Sequence, residues 1–329
     1  MVVLLHNLGQ GGVLDWTASS RHSLVYLTIE NYAIIAVNVF ALISGYLSVG
    51  HKVKPRRLVD LWAAAVFWSV LTALVGVAHG VPAGAWVIEC AFPVCNVKYW
   101  YLDAFLGMQL FLPFVNAGIE KMGSKGTGLI AAGLLMAFSL LGFAGGLGAA
   151  GGYSTIWLLV MWITGAAIRL NYCEALRVVP TWRLLLGVVA IPTVSTFLEW
   201  KSASLGLDAS RWIQYVSPLV VIQAICFFLL CLRIDVKGER LRKAIEAISP
   251  AAFGVYLIDN STWVYGTWLL GRFSWIPERR VVEGVGLIFL ASATMFVVFL
   301  MLEMMRLRAE RVVKHRFGRS VGKGTEELR

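Results

Sequence analysis

The chain has 329 residues, 58% of them hydrophobic and 15% charged, and a formal charge of +10. A soluble domain carries about 25% charged residues, so this balance, with a mean hydropathy of +0.73, excludes an ordinary water-soluble enzyme and points to a polytopic membrane protein. The positive charge is scattered through short segments between apolar runs and one tail, which argues for orientation across a bilayer and against nucleic-acid binding.

Apolar runs of about 20 residues recur along the chain, each long enough to cross the hydrocarbon core as a helix. Residues 1–14 are apolar but too short to span alone, and they lack the basic start and small-residue cleavage site of a signal peptide. They are expected to form the outer part of a truncated first helix. Further spans are predicted over 27–49, 57–79, 99–116, 127–147, 153–170, 182–200, 212–232, 252–270 and 281–303. Pro192 is expected to kink the seventh. The fold class is therefore all-α, with about ten transmembrane helices. Residues 1–304 make one membrane domain, and 305–329 form a basic cytoplasmic tail. No internal repeat and no soluble domain is visible.

With the turn at 50–57 placed in the cytoplasm, the inside segments hold 22 of the 29 Lys and Arg, which puts both termini in the cytoplasm. The outer loop GRFSWIPERR resists the pattern with Arg272, Arg279 and Arg280. Cys90 and Cys95 share another outer loop, where an oxidising compartment would allow a disulfide. The five Cys make no metal pattern, and no metal site is expected.

The stretch YAIIAVNVFALISGYLSVGHKVKPRRLVDLW, 32–62, carries Asn38, Ser44 and Tyr46 in or at the end of a span, then the basic turn Lys52, Lys54, Arg56 and Arg57. The polar groups suit either interhelical hydrogen bonding or substrate contact. The turn suits either topological anchoring or the phosphates of a cytoplasmic ligand, since Arg pairs bidentately with phosphate. Asp60 lies one turn after Arg56, so an i,i+4 pair is also open.

His6 sits in an apolar segment, where an ionisable side chain is costly and marks a functional candidate. An imidazole can take and return a proton near neutral pH, which suits a general base; the bland alternative is a hydrogen-bonded helix-end histidine. Asp103 follows Tyr99, Trp100 and Tyr101. Those aromatics are either an interfacial belt or a platform for a sugar ring, while a buried Asp103 needs a partner. Asp259 opens the polar run Asp259–Asn260–Ser261–Thr262 inside a span, which suggests a water-filled cavity. Glu199, near a helix end, is expected to reach for the interface.

The ordered set of VVLLH around His6, AVNVFALISGYL with its basic turn, YWYLDAFLGMQLFLPFVN, WLLVMWITGAAIRL, SPLVVIQAICFFLL and SPAAFGVYLID resembles the acyltransferase-3 family of integral-membrane O-acyltransferases. The resemblance covers nearly the whole chain in order. It implies ten membrane helices in a bacterial plasma membrane, an acyl-CoA donor (acetyl-CoA above all) taken from the cytoplasm, and an acceptor hydroxyl on a cell-envelope glycan or lipid-linked sugar. It implies that His6 assists acyl transfer and that Arg56 and Arg57, with Lys54, hold donor phosphates. Asp103 and Asp259 would orient His6 or the acceptor; Asn38, Ser44, Tyr46 and Trp100 would contact substrate.

Three departures stand out. The family's arginine three turns before its histidine would fall upstream of Met1. Asp60 stands where a further base is common. The ninth-span motif reads YLID, with Asp259 in place of the usual histidine. A transporter or exporter of a glycan or small metabolite is the alternative function, and internal inverted symmetry would be its signature.

Overall fold

The computed structural model describes residues 1–14, 21–82, 90, 92–93, 99–171 and 179–326; for 21–22 and 315–326 it describes the backbone alone. All regular structure among the described residues is helical. The helices are α1 (Val2–Leu8), α2 (Arg21–Ala33), α3 (Ala36–Ser48), α4 (Pro55–Ala78), α5 (Trp100–Phe143), α6 (Thr155–Leu170), α7 (Thr181–Ser204), α8 (Pro218–Cys231), α9 (Glu239–Ile248), α10 (Ala252–Asp259) and α11 (Val281–Glu326). Six helical stretches are long and apolar enough to cross a membrane, among them the near-continuous pair α2–α3. Helix α6 is apolar but shorter.

Every predicted span has helix within it, but the boundaries differ for physical reasons. The expected second span is two helices broken at Ile34–Ile35. The expected fourth and fifth spans are two helices that follow one another within α5 and meet at Gly123, in the connection expected between them; its φ of 67° is readily reached only by glycine. The expected ninth span stops at Asp259 and resumes as a π-turn over Val264–Trp268. Such breaks are tolerated at membrane depth where protein or a cavity receives the freed backbone groups. Helix α11 runs on from residue 304 to Glu326 without a boundary.

Helices α3 and α6 form the tightest crossing. A Cβ on Gly45 would run into the Trp162 carbonyl, and one on Gly165 into the Leu42 carbonyl. Small residues facing each other in this way let two membrane helices pack backbone to backbone. Around that crossing lies the main core, including Leu42, Met108, Trp157, Leu158, Met161 and Trp162, all fully buried. Polar side chains stitch the same helices. Trp162 Nε1 donates to Ser48 Oγ at 2.9 Å, Gln223 Nε2 to the Asn31 carbonyl at 3.1 Å, and Ser139 Oγ to the Val216 carbonyl at 2.8 Å. Arg169 Nη1 donates to Tyr46 Oη at 3.4 Å, where α3 and α6 both near their C-terminal ends.

Two local expectations need correcting. Glu199 does not reach for the interface. It is 7% exposed, and Asn31 Nδ2 of α2 donates to its Oε2 at 3.0 Å. Asp60 pairs not with Arg56 but with Lys314 Nζ of α11 at 3.4 Å. In the loop GRFSWIPERR two arginines lie over tryptophan rings, Arg272 over Trp268 of the preceding π-turn at 5.0 Å and Arg279 over Trp275 of the loop at 5.7 Å. Cys95 lies outside the described residues, so its pairing with Cys90 does too; the Cys90 thiol donates to the Ser69 carbonyl at 3.4 Å.

Replacing Gly165 by leucine should push α3 and α6 apart. Overpacking a close-packed site costs about 1–3 kcal/mol, so Gly165→Leu should lower the unfolding temperature of the detergent-purified protein, while Gly133→Leu, where a Cβ meets nothing within 4 Å, should leave it unchanged.

Candidate active site

His6 is placed by its neighbours in sequence. Asn7, fully buried, donates from Nδ2 to Ser292 Oγ of α11 at 2.9 Å. Beyond α1, the glycines of GQGG let the chain fold against the 271–274 loop. Gly271 N donates to the Gln10 carbonyl at 3.0 Å and Phe273 N to the Gly11 carbonyl at 2.7 Å. Gly12 has φ +85°, and a Cβ there would sit 3.2 Å from the Gly271 Cα. These contacts fix α1 against α11 and the loop.

So held, His6 meets the end of α10. Its Nδ1 lies 2.6 Å from Asp259 Oδ2, across 253 residues of chain. Asp259 is fully buried and His6 partly exposed. An ionised carboxylate can only accept, so opposite an ionised Asp259 the proton of a neutral imidazole belongs on Nδ1 and the lone pair on Nε2. The Tyr265 ring from the π-turn stands edge-on to the imidazole, 4.9 Å between centroids. The other carboxylate oxygen, Asp259 Oδ1, is buried without a hydrogen bond among the described residues. The aspartate that closes YLID on α10 is thus bonded to the histidine on α1.

His6 borders a cavity of about 500 Å³. Leu5, Gly9 and Gln10 line it from α1 and the turn that follows, Glu30, Ile34 and Val37 from α2–α3, and Tyr256, Asn260 and Tyr265 from α10 and the π-turn. Trp100, Tyr153 and Tyr215 form a connected aromatic wall. Trp100 stacks on Tyr215 at 5.6 Å and meets Tyr153 at 4.5 Å. A concave, mainly apolar site with a few convergent polar groups is the usual form of a small-molecule site. Of the polar run after α10, only Asn260 reaches the cavity; Ser261 turns its hydroxyl to the Ile258 carbonyl at 2.7 Å.

The remaining candidates are elsewhere. Asn38 uses both polar ends on the protein: Oδ1 accepts from Trp157 Nε1 and Nδ2 donates to the Tyr215 carbonyl, each at 2.9 Å. It braces the aromatic wall from behind without lining the cavity. Ser44 returns its hydroxyl to the Phe40 carbonyl at 2.9 Å. Tyr46 packs on Phe228 and under Arg169. Asp103, three residues beyond Trp100, is half-buried, does not line the cavity, and has an Oδ1 with no hydrogen-bond partner among the described residues. Tyr99 is buried away from the cavity, its Oη donating to the Leu257 carbonyl of α10 at 2.9 Å, whereas Tyr101, also buried, lines the cavity beside Trp100.

The basic turn lies at the opposite end of the bundle. Gly50 N donates to Asn116 Oδ1 at 3.1 Å, so the turn sits beside Asn116, while Trp100 of the same helix is in the cavity wall. Sixteen helical residues separate the two, about 24 Å at 1.5 Å per residue. Lys54, Arg56 and Arg57 are exposed there. A chain of charges adjoins them. Glu303, 2% exposed, accepts from Trp68 Nε1 at 2.7 Å and from both Nε and Nη2 of Arg306 at 2.8 and 2.6 Å. Arg306 reaches Glu310 at 2.9 Å, Glu310 pairs with Lys314, and Lys314 reaches Asp60. This chain fastens α11 to α4 one turn beyond Arg56 and Arg57.

Of the residues at this cavity the sequence singles out His6, Asp259, Trp100 and Tyr101 but not Glu30, Gln10, Tyr153, Tyr215, Tyr256 and Tyr265. Glu30 carried a usable signal, a carboxylate within an apolar run. The tyrosines carried none, because aromatic residues near helix ends are common in membrane proteins.

No curated protein and no solved structure matches the chain. A family model does, that of the acyltransferase domain of the acyltransferase-3 type, over residues 1–304, which takes in His6, Asp259, the cavity and the basic turn. The chain belongs to the acyltransferase-3 family and is a membrane acyltransferase.

Proposed function

We propose that the protein moves an acyl group, above all acetyl, from cytoplasmic acyl-CoA to a hydroxyl of a cell-envelope or exopolysaccharide sugar, with His6 as general base. The observation that carries this reading is the 2.6 Å bond from His6 to the buried Asp259 at the wall of the cavity. The pair leaves Nε2 as the basic nitrogen. The acceptor hydroxyl gives its proton to Nε2 as its oxygen attacks the thioester carbonyl. The C–O bond forms, the C–S bond breaks, and the proton passes from His6 to the departing thiolate. Such a base is worth about 10²–10⁴-fold in rate, and positioning supplies the rest for an already activated thioester.

The two ends of the bundle divide the labour. Lys54, Arg56 and Arg57 hold the donor's phosphates at the cytoplasmic face, and the pantetheine arm runs along the bundle toward His6. The acceptor enters the cavity from the outer side and lies on Trp100. Ten helices, with both termini and the tail 305–329 in the cytoplasm of a bacterial plasma membrane, fit this arrangement and the positive-inside count.

Two outcomes follow. Deleting the gene should remove one acyl mass from the envelope glycans read by mass spectrometry, wild type should restore it, and His6→Ala should not. Unchanged glycan acylation on deletion would favour the transport reading instead. Substituting Arg56 and Arg57 together by alanine should raise the KM for acetyl-CoA by about tenfold or more, as expected from losing charge-assisted bonds to phosphate, and leave the KM for the acceptor as it was.

A further inference from the structure

The cavity holds a carboxyl group that the acyl-transfer chemistry does not use. Glu30 lines it from α2, and among the described residues its side chain has no hydrogen bond and no ion pair. Among the described residues no Lys or Arg lines the cavity, and His6 is bonded to Asp259. The residue after Glu30, Asn31, binds a second buried carboxyl group, Glu199, at 3.0 Å. Two carboxyl groups are thus held by neighbouring positions of α2, one of them lining the cavity, with no Lys or Arg among its described lining residues. Glu30 lines the same cavity as Tyr153 and Tyr215, which form the aromatic wall with Trp100.

A carboxylate taken out of water is costly unless a positive charge meets it, and aromatic faces attract cations through their ring quadrupoles. Both features ask for the same missing partner. We propose that the acceptor carries a protonated amino group near the hydroxyl that is acylated, and that Glu30 and the Trp100–Tyr153–Tyr215 wall bind this ammonium. The acceptor class is an amino sugar with a free amine, or a comparable amino alcohol. Glu30 is a specificity residue in this scheme: it selects the acceptor and takes no proton from the reacting hydroxyl. The inference rests on the cavity being the acceptor site of the acyl transfer proposed above.

The test is calorimetric titration of the purified full-length protein in lipid nanodiscs with methyl glucosaminide and methyl glucoside, which differ by an ammonium in place of a hydroxyl. Wild type should bind the glucosaminide at least about tenfold more tightly, the advantage of a charge-assisted over a neutral hydrogen bond. Glu30→Gln should bind both probes alike, at the glucoside's affinity, and Glu30→Asp should keep the preference. Equal binding of the probes by wild type, no binding of either, or a preference that survives Glu30→Gln would overturn the proposal. Binding needs no turnover, so the two readings fail separately. A preference that appears while acetyl-CoA is never discharged to any acceptor would sink the acyl-transfer scheme alone, and transfer without the preference would sink the ammonium site alone.

Discussion

The hydrogen bond between His6 and Asp259 joins the first described helix to a helix near the far end of the chain. A buried carboxylate with one oxygen unpaired is tolerable only if the other oxygen is well used. That demand fixes the imidazole: its Nδ1 must face Asp259, and Nε2 is what remains for chemistry. The surrounding contacts serve this alignment. Asn7 fastens α1 to α11 at Ser292, the glycine turn fastens it to the 271–274 loop, and the break after Asp259 ends α10 where the carboxylate is needed.

The break is costly in a membrane, because it frees backbone groups that lipid cannot satisfy. The chain meets this by burying Asn260, Ser261 and Thr262 within the protein and resuming as a wider π-turn that brings Tyr265 against His6. Local irregularity and the proposed base therefore coincide, as is common where helices widen at functional sites. The cavity beside them and the basic turn about 24 Å away face different compartments in the scheme proposed here. A two-ended site of that kind suits a reaction whose donor and acceptor arrive from opposite sides of a bilayer.

Much of this was legible in the sequence, and what was not follows from period and context. Hydropathy located the helices because an apolar run near 20 residues matches the thickness of the hydrocarbon core. It also placed the break at Gly123, which falls in the connection expected between 116 and 127, but not the stop at Asp259, which depends on tertiary partners. His6 and Asp259 were visible as ionisable residues in apolar surroundings, although their mutual contact was not, since nothing local links positions 253 apart. Asn38 looked like a substrate contact by the same logic and instead braces Trp157 and the Tyr215 carbonyl. Glu199 looked like an interfacial residue because it is near a helix end, yet Asn31 draws it inward. Polarity within a span signals that a partner exists; it does not say whether the partner is protein or substrate.

The most direct test of the His6–Asp259 account is a double-mutant cycle on acetyl transfer by the purified protein. An asparagine amide in place of the Asp259 carboxylate can donate to Nδ1, which would put the imidazole in the wrong tautomer. Asp259→Asn alone should therefore cost about 10²-fold or more in kcat. His6→Ala should cost at least as much, and the double variant should be no worse than His6→Ala, because the aspartate acts only through the histidine. An Asp259→Asn enzyme with wild-type kcat, or losses that multiply in the double variant, would contradict it.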